Sequence, residues 1–277
     1  MKEKTFKGKA VYQPAGKAGE YSKWACNFYV GCSNGCAYCY LKKGRGAAVL
    51  GGNNPELKKC FRDEGHALKV FEKELMENLP ELQKHGLFFS FTTDPMLPET
   101  MELTIQATDI CISNDIPVKI LTKIDFTNHE GKVGVNQLAF PFLVKQKHRD
   151  KIALGFTLTG HNELEKGANT NAERIEAMKK LHDAGFKTFA SIEPVIDFPH
   201  SLAMINLTYR FCDLYKIGLQ SGKHYPKKEL LAFFDAIICM YPGSKIYFKD
   251  SLLNQGNIDR LKLPSNCVTR DYNIFER

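Results

Sequence analysis

The sequence predicts an α/β fold: a partial (β/α)6-type, TIM-like barrel of parallel strands with helices outside. Three observations point there. Short apolar runs recur at intervals of about 30 residues, the length of one strand plus a returning helix. The stretches between them carry the apolar periodicity of amphipathic helices. No internal repeat, low-complexity tract or Pro/Ser-rich linker divides the 277 residues, so the chain reads as a single domain. Alternating strands and helices imply a parallel sheet, and in a barrel the reactive groups gather at the C-terminal ends of the strands.

Strands are expected at residues 25–30, 87–91, 118–121, 152–157, 188–192, 214–217 and 246–248. Residues 67–79 place apolar side chains at 67, 68, 71, 75 and 79, one face of a helix. A second helix is expected to open at Pro98 and Glu99 and run towards Ser113, since proline suits the first helical turn. A third covers 171–184 and stops at Gly185. On this reading residues 1–24 form a basic N-terminal extension, 25–250 the barrel core and 251–277 a C-terminal segment.

With 43% hydrophobic and 25% charged residues, the chain is neither disordered nor a coiled coil. Its longest apolar stretch, residues 230–241, is interrupted by Asp235 and is far short of a membrane span, so no membrane partner is expected. The Lys-rich start lacks the apolar core of a signal peptide, and a cytoplasmic location is expected. Charge is concentrated rather than spread. Residues 1–62 carry twelve Lys or Arg against Glu3, Glu20 and Glu56, a net +9 that leaves −2 for the rest. Lys17, Lys23, Lys42, Lys43, Arg45, Lys58, Lys59 and Arg62 belong to this group. Such a concentration can attract a polyanion such as nucleic acid; it can equally keep a surface soluble and offset an anionic metal site. Nothing in the sequence fixes the oligomeric state.

Three of the nine cysteines fall within eight residues, in the segment Asn27-Phe-Tyr-Val-Gly-Cys-Ser-Asn-Gly-Cys-Ala-Tyr-Cys-Tyr40. In a reducing compartment such crowding points to metal or redox chemistry rather than disulfides. Cys32, Cys36 and Cys39 form a C-x3-C-x2-C array just past the first expected strand, with Gly31 and Gly35 where a tight loop benefits from unusual backbone angles. Iron-sulfur clusters are usually held by four thiolates. Three on a 4Fe-4S cluster leave one iron open, and an open position marks a catalytic rather than a structural metal. The competing reading is a zinc site that borrows Cys26, Cys60 or His66, although no second C-x2-C or H-x3-H pair is present.

This segment, including Tyr38 before the last cysteine, resembles the cluster loop of the radical S-adenosylmethionine (SAM) superfamily. Together with Ser90-Phe-Thr-Thr-Asp-Pro95, Ile120-Leu-Thr-Lys123 and residues 173–185, it is similar to the spore photoproduct lyase branch over about residues 27–218. The resemblance implies that SAM chelates the open iron through its amino and carboxylate groups. Reductive cleavage then releases a 5′-deoxyadenosyl radical that abstracts hydrogen from a substrate, with a flavodoxin or ferredoxin as electron donor. It implies that Thr93 and Asp94 hold the amino end of SAM, that Lys123 approaches its carboxylate or ribose, and that Thr157 contributes a hydroxyl. Asp94 can alternatively cap the turn before Pro95, and Thr157 and Lys123 can be ordinary strand-end polarity. Glu193, before Pro194, is a further strand-end candidate. Tyr38 packs SAM or shields the cluster, and Tyr40 is the candidate radical relay. Lys216 and Lys249, also at strand ends, can bind substrate anions.

One departure stands out. In the lyase a cysteine that returns hydrogen to the product radical immediately precedes the Thr/Ser-Ser/Thr-Asp segment, and here that position is Phe91. Phenylalanine cannot donate a hydrogen atom, so a substitute donor such as Cys26 or Cys60 is required, or a different substrate. The expected function is thus radical SAM chemistry on an unidentified substrate, a nucleic acid or nucleotide being favoured by the basic N-terminal quarter. Modification of a peptide or protein, or a non-catalytic zinc- or cluster-bearing nucleic-acid-binding protein, are the alternatives.

Overall fold

The computed structural model describes residues 5–44, 46–127 and 149–276. Ten strands are present there: β1 (Val11–Tyr12), β2 (Ala25–Cys26), β3 (Tyr29–Val30), β4 (Glu56–Leu57), β5 (Leu87–Phe89), β6 (Val118–Thr122), β7 (Ile152–Thr157), β8 (Lys187–Val195), β9 (Leu214–Leu219) and β10 (Ile246–Phe248). The helices are α1 (Ala47–Leu50), α2 (Glu64–Glu77), α3 (Leu79–His85), α4 (Met101–Ser113), α5 (Asn171–Asp183), α6 (Phe198–Thr208), α7 (Lys227–Met240) and α8 (Asp250–Gly256).

Eight strands form one sheet in the order β1-β2-β5-β6-β7-β8-β9-β10. Only β1 is antiparallel to its neighbour. Parallel neighbours in chain order require the chain to return across one face each time, which sets the helices on the outside. β1 and β10 end the order without pairing to each other, so the sheet is an open arc, the partial barrel expected. Its core has two parts. The larger lies between sheet and helices and takes Val118 and Ile120 from β6, Ala190 and Ile192 from β8, and Tyr215 and Ile217 from β9. The smaller lies inside the arc and gathers Tyr21, Phe88, Phe189, Leu214, Tyr247 and Ile274. Strand alternation therefore turns Thr157, Ser191, Glu193, Lys216 and Lys249 to the inside near the strand ends. Thr157, Ser191 and Lys216 are register partners across β7, β8 and β9.

Expected and observed elements differ at several places. Residues 25–30 do not form one strand: β2 joins the main sheet and β3 pairs with β4 in a separate hairpin. The break falls at Asn27, whose amide group accepts from Phe91 N at 2.8 Å and donates to Tyr12 Oη at 2.7 Å instead of continuing a ladder. The helix expected from Pro98 begins at Met101, because Thr100 N and Met101 N both turn back to Leu97 O and the Thr100 hydroxyl bonds Asp94 O. The helix expected at 67–79 starts three residues earlier, where Asp63 caps it by accepting from His66 N at 2.7 Å, and ends at Glu77. Residues 11–21, placed by the sequence in an extension, supply an edge strand and pack Glu20 and Tyr21 inside the arc. Among the described residues no helix is long and apolar enough to cross a membrane.

Candidate functional site

All nine cysteines are free thiols, and Cys32, Cys36 and Cys39 line one pocket with Asn34, Gly35, Lys42, Gly51 and Gly52. The loop leaves β3 at Gly31, whose φ is +81°; a Cβ there would sit 2.2 Å from Asn54 O, so only glycine fits. Gly35 also takes a positive φ, +62°. Backbone bonds fix the rest: Cys32 N to Gly52 O (3.1 Å), Cys39 N to Cys36 O (3.2 Å), Ala37 N to Leu164 O (2.9 Å) and Gly167 N to Asn34 O (3.0 Å). A bridge between Cys36 and Glu165 completes the seat, so the thiol loop rests on the segment that follows β7.

Asp94 is the brace beneath this loop. Its Oδ1 accepts from Thr122 Oγ1 (2.6 Å) and Met96 N (3.0 Å), and its Oδ2 from Asn34 Nδ2 (2.8 Å) and Lys123 N (2.8 Å). Four donors fill a carboxylate's acceptor positions. The sequence reading offered an ammonium ligand or a turn cap. The structure gives Asp94 the cap, through Met96 N, and adds a tie between the cysteine loop and the ends of β5 and β6. An ammonium group at this carboxylate has to displace one of those donors. Beside it, Thr93 Oγ1 and Asn34 Oδ1 are buried without a hydrogen-bond partner.

Lys123, at the end of β6, lies with Nζ 5.7 Å from the centre of the Tyr38 ring. Burial pulls its pKa down, but the charges of Cys36 and Glu165 outweigh that and the net shift is upward. The Tyr38 hydroxyl donates to Glu165, which forms a fully buried ion pair with Arg174 at 2.5 Å. Arg174 also donates to Thr157 O (2.5 Å) and Asn169 O (2.9 Å). Asn34, Glu165 and Arg174 were not found in the sequence: the motif gave Asn34 no role, and the Glu165–Arg174 spacing of nine matches no helical or strand period. Arg174 Nη1 on Thr157 O joins the end of β7 to this network, and Thr157 itself is buried.

Glu193 belongs to a second group across the arc. Its Oε2 accepts from Tyr21 Oη (2.7 Å) and Lys249 Nζ (2.6 Å); Tyr21 Oη is also 2.6 Å from Ser191 Oγ. Lys249 lies 3.5 Å from Glu20, which in turn accepts from Asp250 N at 2.8 Å. Lys216 Nζ donates to the carbonyls of Glu20 (2.7 Å) and Tyr21 (3.2 Å) and sits over the Tyr21 and Tyr247 rings. Burial holds the Lys216 ammonium well below the usual lysine range. Tyr40 stands between the two groups: 59% exposed, it donates its hydroxyl to Phe91 O. Phe91 stacks on Phe88 at 4.5 Å. Cys26 is fully buried in β2 and Cys60 is exposed on the outer loop.

The residues present fit a thiolate-held cluster and its cofactor. Three unpaired cysteines share one pocket, a condition a disulfide framework does not meet. Burial, with Asp94 adding to it, pushes the Cys32 thiol up to about 11, and burial also raises Cys36, so both are neutral thiols unless a cation among them draws off their protons. The orphaned Thr93 hydroxyl and Asn34 carbonyl lie in the same neighbourhood and await a polar partner.

Comparison with known proteins gives the class of fold. No protein-family profile matches the chain. An uncharacterized protein of Methanocaldococcus jannaschii is 23% identical over 268 residues, covering 89% of this chain and 91% of that one. SuiB of Streptococcus suis bound to S-adenosylmethionine matches with a TM-score of 0.56 at 13% identity, over 83% of this chain and 51% of SuiB. Spore photoproduct lyase complexed with dinucleoside spore photoproduct matches with a TM-score of 0.57 at 16% identity, over 88% of this chain and 66% of the lyase. The chain shares the fold of these two proteins over most of its length. It spans about half the length of SuiB and about two thirds of the lyase.

Proposed function

We propose that this chain is a radical SAM enzyme that holds a 4Fe-4S cluster on Cys32, Cys36 and Cys39 and binds SAM across the adjoining strand ends. The observation that carries the reading is the shared pocket of three free thiols, braced by Asn34 and Asp94 beneath it and flanked by Lys123. When bound, the cluster supplies the electron that splits the SAM sulfonium into methionine and a 5′-deoxyadenosyl radical. The chain's own residues do the positioning. The Lys123 ammonium attracts the SAM carboxylate, and the Thr93 hydroxyl and Asn34 carbonyl supply polar contacts near the amino end. Asp94 holds the loop rather than the ligand, and Tyr38, fixed by Glu165, shields the thiols from water. Thr157 and Glu193 bound the inside of the arc where a substrate enters. Tyr40, exposed beside the thiol loop, is our candidate for passing a radical onward.

Phe91 has no hydrogen to give, and neither fully buried Cys26 nor exposed Cys60 stands in its place. Reversal of spore photoproduct is therefore not expected. A nucleic acid or nucleotide remains the favoured substrate, because exposed Lys42 lines the thiol pocket and exposed Lys43 follows it. The charge is less free than its sum suggests: Lys23 pairs with Asp271 at 3.4 Å and Lys58 donates to two backbone carbonyls. Arg45 and the first four residues lie outside the described residues. A peptide substrate is the alternative, favoured by the match to SuiB in its complex with precursor peptide SuiA. A flavodoxin or ferredoxin is the expected electron donor.

Anaerobic reconstitution with iron and sulfide, followed by reduction in the presence of SAM, tests the reading. Brown protein and 5′-deoxyadenosine are expected. A colourless zinc protein that forms no deoxyadenosine under any reductant would reassign the chain to a binding role.

A further inference from the structure

A second cluster of ligating side chains lies outside the thiol pocket, at the rim of the arc. His161 follows β7 and Asp197 caps α6, whose first turn carries His200. Asp197 Oδ2 is 2.7 Å from His161 Nε2 and 2.9 Å from His200 Nδ1, and the two imidazole centroids are 4.4 Å apart. Among the described residues this is the one group of three ligating side chains whose donor atoms all fall within 4.8 Å of one another.

We infer that His161, Asp197 and His200 bind a divalent transition-metal ion of the zinc class, at a site separate from the cysteines. Three features carry this. Both ring nitrogens of His161 face carboxylates, Nε2 towards Asp197 and Nδ1 towards Glu163 Oε1 at 2.8 Å. A neutral imidazole has one N–H and can donate to only one of them, so the second contact needs either a proton or a metal ion on that nitrogen. With the metal on Nε2, the Nδ1 proton goes to Glu163, the carboxylate–histidine–metal arrangement that orients ligating histidines. Second, Asp197 Oδ1 accepts from His200 N at 2.9 Å, which aims Oδ2 at both rings. Third, Gly160, at φ +78°, lets the two loops meet: a Cβ there would lie 2.8 Å from His200 Cβ.

Two imidazole nitrogens and one carboxylate oxygen suit zinc or iron(II), with the remaining positions open to water. A tetrahedral shell at about 2.0–2.1 Å spreads its ligand atoms to about 3.4 Å, so a bound ion requires the His161–Asp197 contact at 2.7 Å and the Asp197–His200 contact at 2.9 Å both to open by less than about 1 Å through side-chain rotation. The ion then ties the start of α6 to the segment after β7, the same segment whose Glu165 bridges Cys36.

The test is a calorimetric titration of the metal-stripped full chain with zinc chloride, run beside the His161→Ala/His200→Ala double variant. The cysteines contribute equally to both proteins, so the proposal concerns the difference between them. Wild type is expected to bind one equivalent more than the double variant, and zinc is expected to raise its Tm further. Asp197→Asn, which retains a side chain able to cap the helix, should also lose that equivalent, so the result does not depend on one variant folding. Glu163→Gln should retain the site with affinity reduced about 10- to 100-fold. Equal zinc stoichiometry in wild type, the double variant and Asp197→Asn overturns the site.

Discussion

The two charged groups inside the arc are built on different plans. Around the thiol loop, Asp94, Asn34, Glu165 and Arg174 bond mainly to backbone and loop groups, so their charges set the position of the cysteines. Across the arc, Glu20, Glu193 and Lys249 satisfy one another, and Lys216 is held by carbonyls and aromatic rings. The first group serves a loop that a ligand must reach. The second closes the opposite wall and joins the N-terminal segment to β8, β9 and β10. Charge at a barrel mouth is thus not by itself a sign of catalysis: what separates the groups is what their members hold in place. Thr93 Oγ1 and Asn34 Oδ1 are left over on the thiol side.

The largest effect is expected at the thiols. Cys36→Ala should abolish cluster iron, whereas Cys111→Ala, buried in α4, and Cys239→Ala, exposed on α7, should retain it, as read by iron and sulfide content and visible absorption. Full iron in Cys36→Ala would falsify the cluster assignment.

Next come the two braces. Asp94→Ala strands four donors, and at about 1–3 kcal/mol for each unsatisfied buried group it should cost at least about 4 kcal/mol. Lys249→Met leaves Glu20 and Glu193 uncompensated and should cost about 3–5 kcal/mol. Denaturant unfolding measures both. The contrast lies in SAM binding, which Asp94→Ala should weaken about tenfold or more, and Lys249→Met, where still folded, should not. Equal losses of SAM affinity would erase the distinction between the two walls.

A smaller effect tests Lys216. Burial lowers its folded pKa, while in the unfolded chain the group titrates near 10.5. Between those two values the unfolded chain binds more protons, so this group's contribution to stability rises with pH and levels off above 10.5. Wild type should therefore gain stability relative to Lys216→Met as pH climbs towards 10.5. A flat or falling difference would mean the ammonium stays charged on folding.

The smallest change is expected from Lys42→Ala/Lys43→Ala. If these exposed lysines contact phosphate, the logarithmic salt dependence of nucleic-acid binding should flatten by at most about 2. Binding that is absent or insensitive to salt would favour the peptide substrate.

Much of this was legible in the sequence, and the reason is locality. The runs at 152–157 and 246–248 are strands with those same bounds, because apolar strands in a parallel sheet carry their own signal. The Cys32, Cys36 and Cys39 array is read from eight consecutive residues. Asp94 was visible as a strand-end carboxylate, but its four donors come from residues 34, 96, 122 and 123, so brace and ligand could not be told apart. The break in residues 25–30 was hidden because Asn27 takes its partners from Phe91 and Tyr12. Glu20 and Tyr21 read as part of an extension for the same reason: their partners lie in β8, β9 and β10.

That long reach bears on how the chain is made. Tyr21 bonds Glu193, and Glu20 meets Tyr247, Lys249 and Asp250, at separations of 172 to 230 residues. As the polypeptide leaves the ribosome, residues 17–21 can find no lasting place until the last strand has been synthesised. Closing so large a loop is slow, and the earlier strands stand with one flank open meanwhile. Docking of residues 17–21 against β8 and β10 is therefore expected late in folding, and removing residues 5–21 should leave a nearly finished barrel that aggregates.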